Sequence, residues 1–237
     1  DAEAGRVTGL IGPNGAGKST LLNILAGDVR PSAGRVVIDG RDVTRDSAPE
    51  RARLVARVFQ DPLAGTCEQL TIEENMALAL ARGRARRLGR AIGTAARALF
   101  AARLAPLGLG LEHRLRDPVQ ALSGGQRQAL ALIMATLAPA SILLLDEHTA
   151  ALDPRTARFV LSLTDRVIAE HGLTALMVTH SMRQALDHGT RTVMLHEGRV
   201  ILDVSGEGRD RLGVPGLVAM FEAARGQELA DEALLVG

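Results

Sequence analysis

The chain has 237 residues, of which 46% are hydrophobic and 23% are charged, and its formal net charge at pH 7 is +1. This is the composition of a globular protein long enough for one large α/β domain with a sub-lobe, and the charge gives no general argument for nucleic-acid binding. The single cysteine, Cys67, excludes an internal disulfide and a cysteine-cluster zinc site, and the absence of tryptophan and tyrosine removes stacking platforms for single-stranded nucleic acid.

The first predicted elements are a strand over Gly5–Ile11 and a helix that ends near Ala26, and they flank a glycine-rich loop. The loop fits G-x-x-x-x-G-K-[ST], a pattern in which backbone N–H groups and a helix N-terminus hold nucleotide phosphates. Lys18, the only lysine in the chain, is expected to reach the β- and γ-phosphates, and the Ser19 hydroxyl to bind Mg²⁺. The predicted phosphate-binding residues are Gly12, Pro13, Asn14, Gly15, Ala16, Gly17, Lys18, Ser19 and Thr20.

A hairpin, a short helix and a further strand are predicted next. Arg35–Gly40 is typical of a strand that ends in an Asp-Gly hairpin turn, and Ala48–Arg53 of a short helix or turn. Leu54–Gln60 is the following predicted strand. Gln60 ends it at the expected edge of the sheet, where an amide can accept a hydrogen bond from a metal-bound water and respond to the presence of nucleotide.

The pattern then becomes helical from Thr71 to about Leu115, which predicts a helical insertion between strands of the sheet. The insertion is rich in arginine, which we interpret as a solvated loop and helix face, with a contact to anionic lipid head groups as the alternative. The arginines concerned are Arg82, Arg84, Arg86, Arg87, Arg90 and Arg97.

A second glycine-rich loop opens a predicted helix that runs to about Leu137. Its hydroxyl group, bare backbone amides and helix N-terminus repeat the chemistry of an anion site, but it has no lysine and no strand directly before it. We therefore predict an incomplete phosphate site, which makes sense if it completes the nucleotide site of another subunit. Its residues are Ser123, Gly124, Gly125 and Gln126.

Two buried parallel strands are predicted to end in polar residues at the same edge of the sheet, where ligands bind in open α/β sheets. Ser141–Glu147 ends in Asp146, which suits Mg²⁺, and Glu147, which could orient or deprotonate an attacking water. Thr174–His180 ends in His180, which is expected to donate a hydrogen bond to a γ-phosphate. The other histidines, which we interpret as structural or surface residues, are His113, His148, His171, His188 and His196.

Strands that alternate with helices predict an α/β fold, a P-loop NTPase core with a mainly parallel sheet, an antiparallel β edge and a helical sub-lobe. We expect one domain over residues 1–237, with its core at 1–70 and 117–212, a helical subdomain at about 71–116, and a C-terminal helix and tail at 213–237. The other predicted elements are helices over Arg155–Glu170, Ser181–Leu186 and Pro215–Gly226, strands over Thr190–Leu195 and Arg199–Val204, and an acidic tail over Gln227–Gly237.

The motifs and their order along the chain resemble those of the ATP-binding subunits of ABC transporters, and the resemblance extends from about residue 5 to 205. The matching motifs are the P-loop Gly12–Thr20, the Q-loop Gln60, the signature Leu122–Gln128, the Walker B strand Ile142–Glu147, the D-loop Ala151–Asp153 and the switch histidine His180. The resemblance implies an ATPase that uses ATP and Mg²⁺ in a head-to-tail homodimer. Each P-loop would face Ser123–Gln126 of the other subunit, with Asp153 also at the nucleotide site.

The resemblance also implies roles for individual residues and for partners. Lys18, Glu147 and His180 would be catalytic, and Ser19, Gln60 and Asp146 would hold the metal. Integral-membrane permease subunits would dock near Gln60 to Thr71, and through them the ATPase would serve an extracytoplasmic solute-binding protein, with no role for nucleic acid. The subunit would then be cytoplasmic and peripheral on the inner face of the membrane.

Finer features resemble a bacterial importer ATPase subgroup for tryptophan and tyrosine, which implies import of a small organic solute such as an aromatic amino acid. They lie in Phe59–Thr66, Leu70–Ala79 and Asp146–Pro154. Two features depart from the superfamily: His148 stands where most members have proline, and no aromatic residue precedes Phe59 to stack on adenine. We expect that an upstream segment on the order of two dozen residues, a strand pair, is missing from this chain.

Two alternatives use the same P-loop. A non-transport ABC ATPase acting on DNA or ribosomes would carry long coiled coils, zinc modules or tandem cassettes, and the sequence contains none of these. A P-loop kinase or GTPase would leave the loop at Ser123–Gln126 unexplained.

Overall fold

A computed structural model describes residues 1–83 and 92–223. Its strands are β1 (Val7–Ile11), β2 (Val37–Ile38), β3 (Arg41–Asp42), β4 (Val55–Val58), β5 (Ile142–Asp146), β6 (Thr174–Val178), β7 (Arg191–His196) and β8 (Arg199–Ser205). Six of them form one sheet in the order β4-β5-β6-β1-β7-β8, and β2 pairs with β3 alone. All pairs of the large sheet are parallel except β7–β8, so the predicted parallel sheet with an antiparallel edge is confirmed.

The helices surround this sheet. They are α1 (Lys18–Ala26), α2 (Ala48–Arg51), α3 (Ile72–Leu80), α4 (Thr94–Leu104), α5 (Gly124–Leu137), α6 (Pro154–His171), α7 (Met182–His188) and α8 (Gly206–Asp210). Short 3-10 turns lie at Ala105–Leu107, Leu111–His113 and Val119–Ala121. A further helix covers 214–223, which agrees with the start of the predicted C-terminal helix; the rest of that helix and the acidic tail lie outside the described residues.

The predicted hairpin is the β2–β3 pair. Its turn residues Asp39 and Gly40 have φ angles of 50° and 74°. Positive φ at both central positions is what a two-residue turn between right-twisted strands requires, and Asp-Gly is among the sequences that adopt it most readily.

Alternation along the central strand β5 separates the two faces of the sheet. Leu143 and Leu145 pack in one core with apolar residues of α3, α4, α5 and α6. Ile142 and Leu144 point to the opposite face and pack with Leu22 of α1. Because side chains alternate with a period of two, the carboxylate at the end of β5, Asp146, belongs to the face that α1 covers.

The predicted solvated arginine-rich face is wrong for Arg82, whereas the side chain of Arg97 is 42% exposed. Arg82 donates from Nη1 and Nη2 to the backbone carbonyls of Ala135 and Ala138, at 2.8 and 2.9 Å, and so caps the last turn of α5. Arg97 forms a two-point ion pair with the largely buried carboxylate of Glu73, at 2.7 and 3.0 Å. Both arginines bind protein groups; Arg84, Arg86, Arg87 and Arg90 lie outside the described residues.

None of the helices within residues 1–83 and 92–223 is both long enough and apolar enough to cross a membrane.

Candidate active site

The P-loop lies between the end of β1 and the start of α1 and curls around its own lysine. Lys18 Nζ donates to the carbonyl oxygens of Gly12 and Pro13 at 2.8 and 2.9 Å, and the residue is only 6% exposed. A Cβ atom on Gly12, whose φ is 149°, would lie 2.3 Å from the Leu195 carbonyl oxygen. Only glycine therefore fits at the first position of the loop.

Two carboxylates at the end of β5 affect the pKa of this lysine. Burial lowers the pKa of Lys18 from its usual value, and the negative charges of Glu147 and Asp146 oppose that shift. Both acids are thus close enough to influence the charge of Lys18, although well over 100 positions separate them from it in the sequence.

The acids and the predicted switch histidine meet where β5 and β6 end. Glu147 Oε1 lies 2.7 Å from His180 Nε2, and their side chains are 13% and 47% exposed. Glu147 has a φ of 45°, which a non-glycine residue adopts only at a cost and which is concentrated at functional sites. Its backbone N–H donates to the Val178 carbonyl at 3.0 Å, so the end of β6 holds the residue in this conformation.

Gln60 and the hydroxyl groups at the start of α1 are exposed at this end of the sheet. Strand β4 ends at Val58, two residues earlier than predicted, and Gln60 follows in a bend. The backbone is held there by Gln128 Nε2, which donates to the Phe59 carbonyl at 3.3 Å. Ser19 and Thr20 are both exposed, so their hydroxyl groups are accessible to a ligand.

The second glycine-rich loop is an N-terminal cap of α5. Ser123 Oγ accepts from the Gln126 backbone N–H at 3.3 Å, and Gln126 Oε1 accepts from the Ser123 N–H at 3.1 Å. A Cβ atom on Gly125 would lie 2.2 Å from Thr156 Cγ2, so α6 packs closely against this loop. The capping box fixes the loop shape, and the glycine allows the contact with α6.

Asp153, the last residue of the predicted D-loop, caps α6. Its Oδ1 accepts from the backbone N–H groups of Arg155 and Thr156 at 3.1 and 3.2 Å. Hydrogen bonds from Thr156 keep the pKa of this exposed carboxyl below its usual value. The same Thr156 contacts Gly125, so the signature loop and the D-loop are joined through the first turn of α6.

Sequence reasoning missed Arg57, which contacts Asp146 at the end of β5. Arg57 Nη2 donates to Asp146 Oδ2 at 2.7 Å, and Nη1 donates to Asn23 Oδ1 at 2.8 Å. The only sequence signal was a lone arginine within the apolar strand β4. Its partner Asp146 is 89 residues away, and a pairing of that length is not visible in a local pattern.

The donor set fits Mg²⁺ and ATP. Mg²⁺ keeps several waters and is bound through one or two protein oxygens together with substrate phosphates. Ser19 and Asp146 offer a hydroxyl and a carboxylate of this kind, and Gln60 an amide oxygen. In the described part of the chain there is no group of three or more His, Cys, Asp or Glu side chains that could hold a metal ion.

His148, which follows the catalytic candidate Glu147, is a buried structural residue. Its Nε2 lies 3.1 Å from the Thr164 hydroxyl, which itself donates to the Val160 carbonyl at 2.8 Å. The Thr164 oxygen is therefore the acceptor, and His148 is neutral with its proton on Nε2. Burial, with a smaller contribution from the charge of His188, lowers the pKa of His148 from 6.5 to about 4.

This burial predicts an acid-labile fold. Below pH 6.5 the unfolded chain binds a proton at His148 that the folded chain does not bind until about pH 4. The stability due to neutral His148 is thus complete above pH 6.5 and is lost as the pH falls to about 4, by up to roughly 3 kcal/mol. Urea denaturation from pH 7 to 5 measures the fall in the free energy of unfolding, which should be smaller in His148→Gln than in the wild type. The exposed control His113→Gln should show the same fall as the wild type. An equal fall in the wild type and both variants would contradict the role given to His148.

Comparison with known proteins agrees with this geometry. The family model for ABC transporters matches residues 1–150. A tyrosine transport ATP-binding protein of Clostridioides difficile (strain R20291) is 45% identical over 224 residues, which are 94% of this chain and 89% of that protein. The thiamine import ATP-binding protein ThiQ of Escherichia coli (strain K12) is 35% identical over 201 residues, 84% of this chain and 80% of that protein.

A solved structure shares the fold. It is a dimeric post-hydrolysis state of the ATP-binding cassette MJ0796 bound to ADP and phosphate, with a TM-score of 0.73 and 29% identity, covering 86% of this chain and 87% of that one. One conclusion follows from the P-loop, the acids at the end of β5, the family match and the shared fold. The chain belongs to the ABC transporter family and is an ATP-binding cassette ATPase.

Proposed function

We propose that this chain is the ATPase subunit of an importer for a small organic solute, with an aromatic amino acid as the first candidate. The observation that carries the ATPase role is the contact of Glu147 with His180, at 2.7 Å, together with a buried Lys18 whose charge Glu147 influences. The tyrosine transport protein that is 45% identical supports the choice of solute. The thiamine import protein supports the direction of transport.

The site residues divide the chemistry of ATP hydrolysis among them. Lys18 would exchange its two carbonyl partners for the β- and γ-phosphate oxygens, while Ser19, Asp146 and Gln60 would hold Mg²⁺. The metal, when bound, neutralises negative charge on the phosphates. Glu147 would accept the proton of the attacking water.

His180 would change partners during the cycle. The Nε2 atom that now contacts Glu147 is the one that could donate to the γ-phosphate, and one N–H group serves only one strong acceptor at a time. At 47% exposure the ring has room to move. Contact with phosphate would therefore free the Glu147 carboxylate for the water.

The signature loop would complete the site of a second subunit. Ser123 to Gln126 present a helix N-terminus and two bare glycine backbones, and the P-loop presents the complementary phosphate site. A two-fold homodimer would bring the signature loop of each subunit opposite the P-loop of the other subunit, so that two nucleotides are enclosed between the subunits. The dimeric cassette with 29% identity supports this arrangement.

A groove beside β4 is the proposed contact for a membrane permease. It has a volume of about 420 Å³ and lies between the strand end at Phe59, the following loop to Cys67, and helices α3 and α5. Leu78 of α3, 57% exposed, lies in its wall. Through the permease the subunit would lie on the inner face of the membrane and serve an extracytoplasmic solute-binding protein.

A charge in this groove should uncouple transport from ATP binding. We expect Leu78→Arg to reduce solute uptake by about tenfold, because burial of an unpaired arginine against a permease helix costs more than 1 kcal/mol. ATP affinity of the isolated chain should stay within about twofold of the wild type. The control is Leu99→Arg on α4, also exposed but not in the groove wall, and a loss of uptake in both variants would contradict the docking site.

The proposed function is tested by two measurements on the wild type. The purified chain should release phosphate from ATP in a Mg²⁺-dependent reaction, alone or with its permease. Cells that lack the gene should lose uptake of labelled tyrosine or tryptophan and regain it with the intact gene. ATP binding that never leads to phosphate release would contradict the ATPase, and normal uptake of both amino acids would contradict the solute.

A further inference from the structure

We propose that Arg57 is a positioning residue that competes with Mg²⁺ for the carboxylate of Asp146, and so sets the Mg²⁺ concentration at which the site loads. This inference rests on the proposed function, because it assumes that Asp146 serves the metal. Arg57 belongs to none of the motifs that identify the family.

Strand register explains why the two side chains meet. Arg57 on β4 pairs with Leu144 on β5, and Asp146 lies two residues further along the same strand. Paired residues of neighbouring parallel strands, and residues two apart on one strand, point to the same face of a sheet. Arg57 and Asp146 therefore share the face that α1 covers, next to the P-loop helix.

The contact is short and poorly solvated. Arg57 Nη2 lies 2.7 Å from Asp146 Oδ2, and the side chains are only 13% and 15% exposed. The guanidinium of an arginine is a permanent cation in a protein. It neutralises the carboxylate that Mg²⁺ would use, and it repels a divalent cation placed on the same group.

Arg57 also contacts groups other than Asp146. Its Nη1 donates to Asn23 Oδ1 at 2.8 Å and lies 3.3 Å from Asp28 Oδ2, and both acceptors are on or just after α1. The guanidinium stacks 4.7 Å from the centre of the Phe59 ring, while its buried Nε has no hydrogen-bond partner. The side chain can thus release Asp146 and remain bound to α1 and Phe59.

The position of Arg57 joins two regions of the protein. Arg57 and Phe59 both line the groove at the edge of β4, and Arg57 reaches through to Asp146. Gln60, the other candidate for the metal, follows Phe59 directly. A change in how the groove is filled would therefore reach the metal site through one short stretch of β4.

The test is Mg²⁺ dependence of nucleotide binding, measured with a fluorescent ATP analogue at increasing Mg²⁺. We expect Arg57→Met to lower the Mg²⁺ concentration for half-maximal binding on the order of tenfold, with binding in EDTA changed by less than about twofold. Arg57→Lys keeps the positive charge and should stay near the wild type. The matched control, Arg97→Met, removes the arginine of a 2.7 Å ion pair far from the site and should not change the Mg²⁺ requirement.

The outcomes separate this inference from the function on which it rests. If the wild type binds no nucleotide at any Mg²⁺ concentration, the proposed function fails. If the wild type binds in a Mg²⁺-dependent way but Arg57→Met needs as much Mg²⁺ or more, only the competition between Arg57 and Mg²⁺ is overturned.

A second readout needs no change at Arg57 and remains available if that variant does not fold. The chain has no tryptophan or tyrosine, so Phe59→Trp introduces a single indole under the guanidinium. Its emission should change when Mg²⁺ is added to the nucleotide-bound protein, and not when nucleotide is added in EDTA. The same emission with and without Mg²⁺ would mean that Arg57 stays in place, against the proposal.

Discussion

Glutamine in place of Glu147 is expected to slow ATP hydrolysis by about 10²- to 10⁴-fold and leave ATP binding intact. The amide has the size of the carboxylate and can still accept from His180, whose Nε2 lies 2.7 Å away, but it cannot take a proton from water. Because bound ATP would persist, the variant should accumulate as a dimer with ATP. Phosphate release and light scattering measure the two effects.

The control for this prediction is Glu170→Gln, an exposed residue near the end of α6. It should hydrolyse ATP at the wild-type rate. A Glu147→Gln protein that hydrolyses ATP within about threefold of the wild type would remove Glu147 from the proton-transfer step.

Methionine in place of Lys18 is expected to weaken ATP binding on the order of 100-fold. Methionine keeps an unbranched apolar stem but loses a buried ammonium that now holds the carbonyls of Gly12 and Pro13. A charge-assisted hydrogen bond to phosphate is worth roughly 2–3 kcal/mol, which corresponds to about that factor. Fluorescent-ATP titration gives the affinity, and circular dichroism verifies the fold.

Two further variants sharpen the test of Lys18. Lys18→Arg keeps the charge, but a planar fork does not fit where the side chain is 6% exposed, so its affinity should also fall. Arg30→Met removes an exposed cation just beyond α1 and should have no effect. Wild-type affinity in Lys18→Met would show that the loop binds phosphate without its lysine.

The local sequence predicted those parts of the fold that short-range chemistry controls. The P-loop, the Asp-Gly hairpin and the apolar run of β5 each contain their own signal, because each depends on residues adjacent in the chain. The ends of β5 and β6 predicted that Glu147 and His180 lie at one edge of the sheet, since parallel strands bring their carboxyl ends together; their direct contact was not predicted.

The residues that were misread are those whose partners lie far away in sequence. Arg82 looked like a surface arginine, yet it caps α5 from 53 and 56 residues away. Arg57 was given no role, yet strand register and the packing of α1 direct it to Asp146. No periodicity encodes such contacts, since they depend on how separate elements pack.

The central claim, a nucleotide site shared by two subunits, is tested most directly by mixing two inactive variants. Lys18→Met damages the P-loop side of the site and Ser123→Arg the signature side, so each homodimer has no intact site. In a mixed dimer of the proposed arrangement, the P-loop of the Ser123→Arg chain would meet the signature loop of the Lys18→Met chain, and one complete site would form. Mixing should restore up to about a quarter of the wild-type phosphate release, and no recovery despite mixed-dimer formation would contradict the shared site.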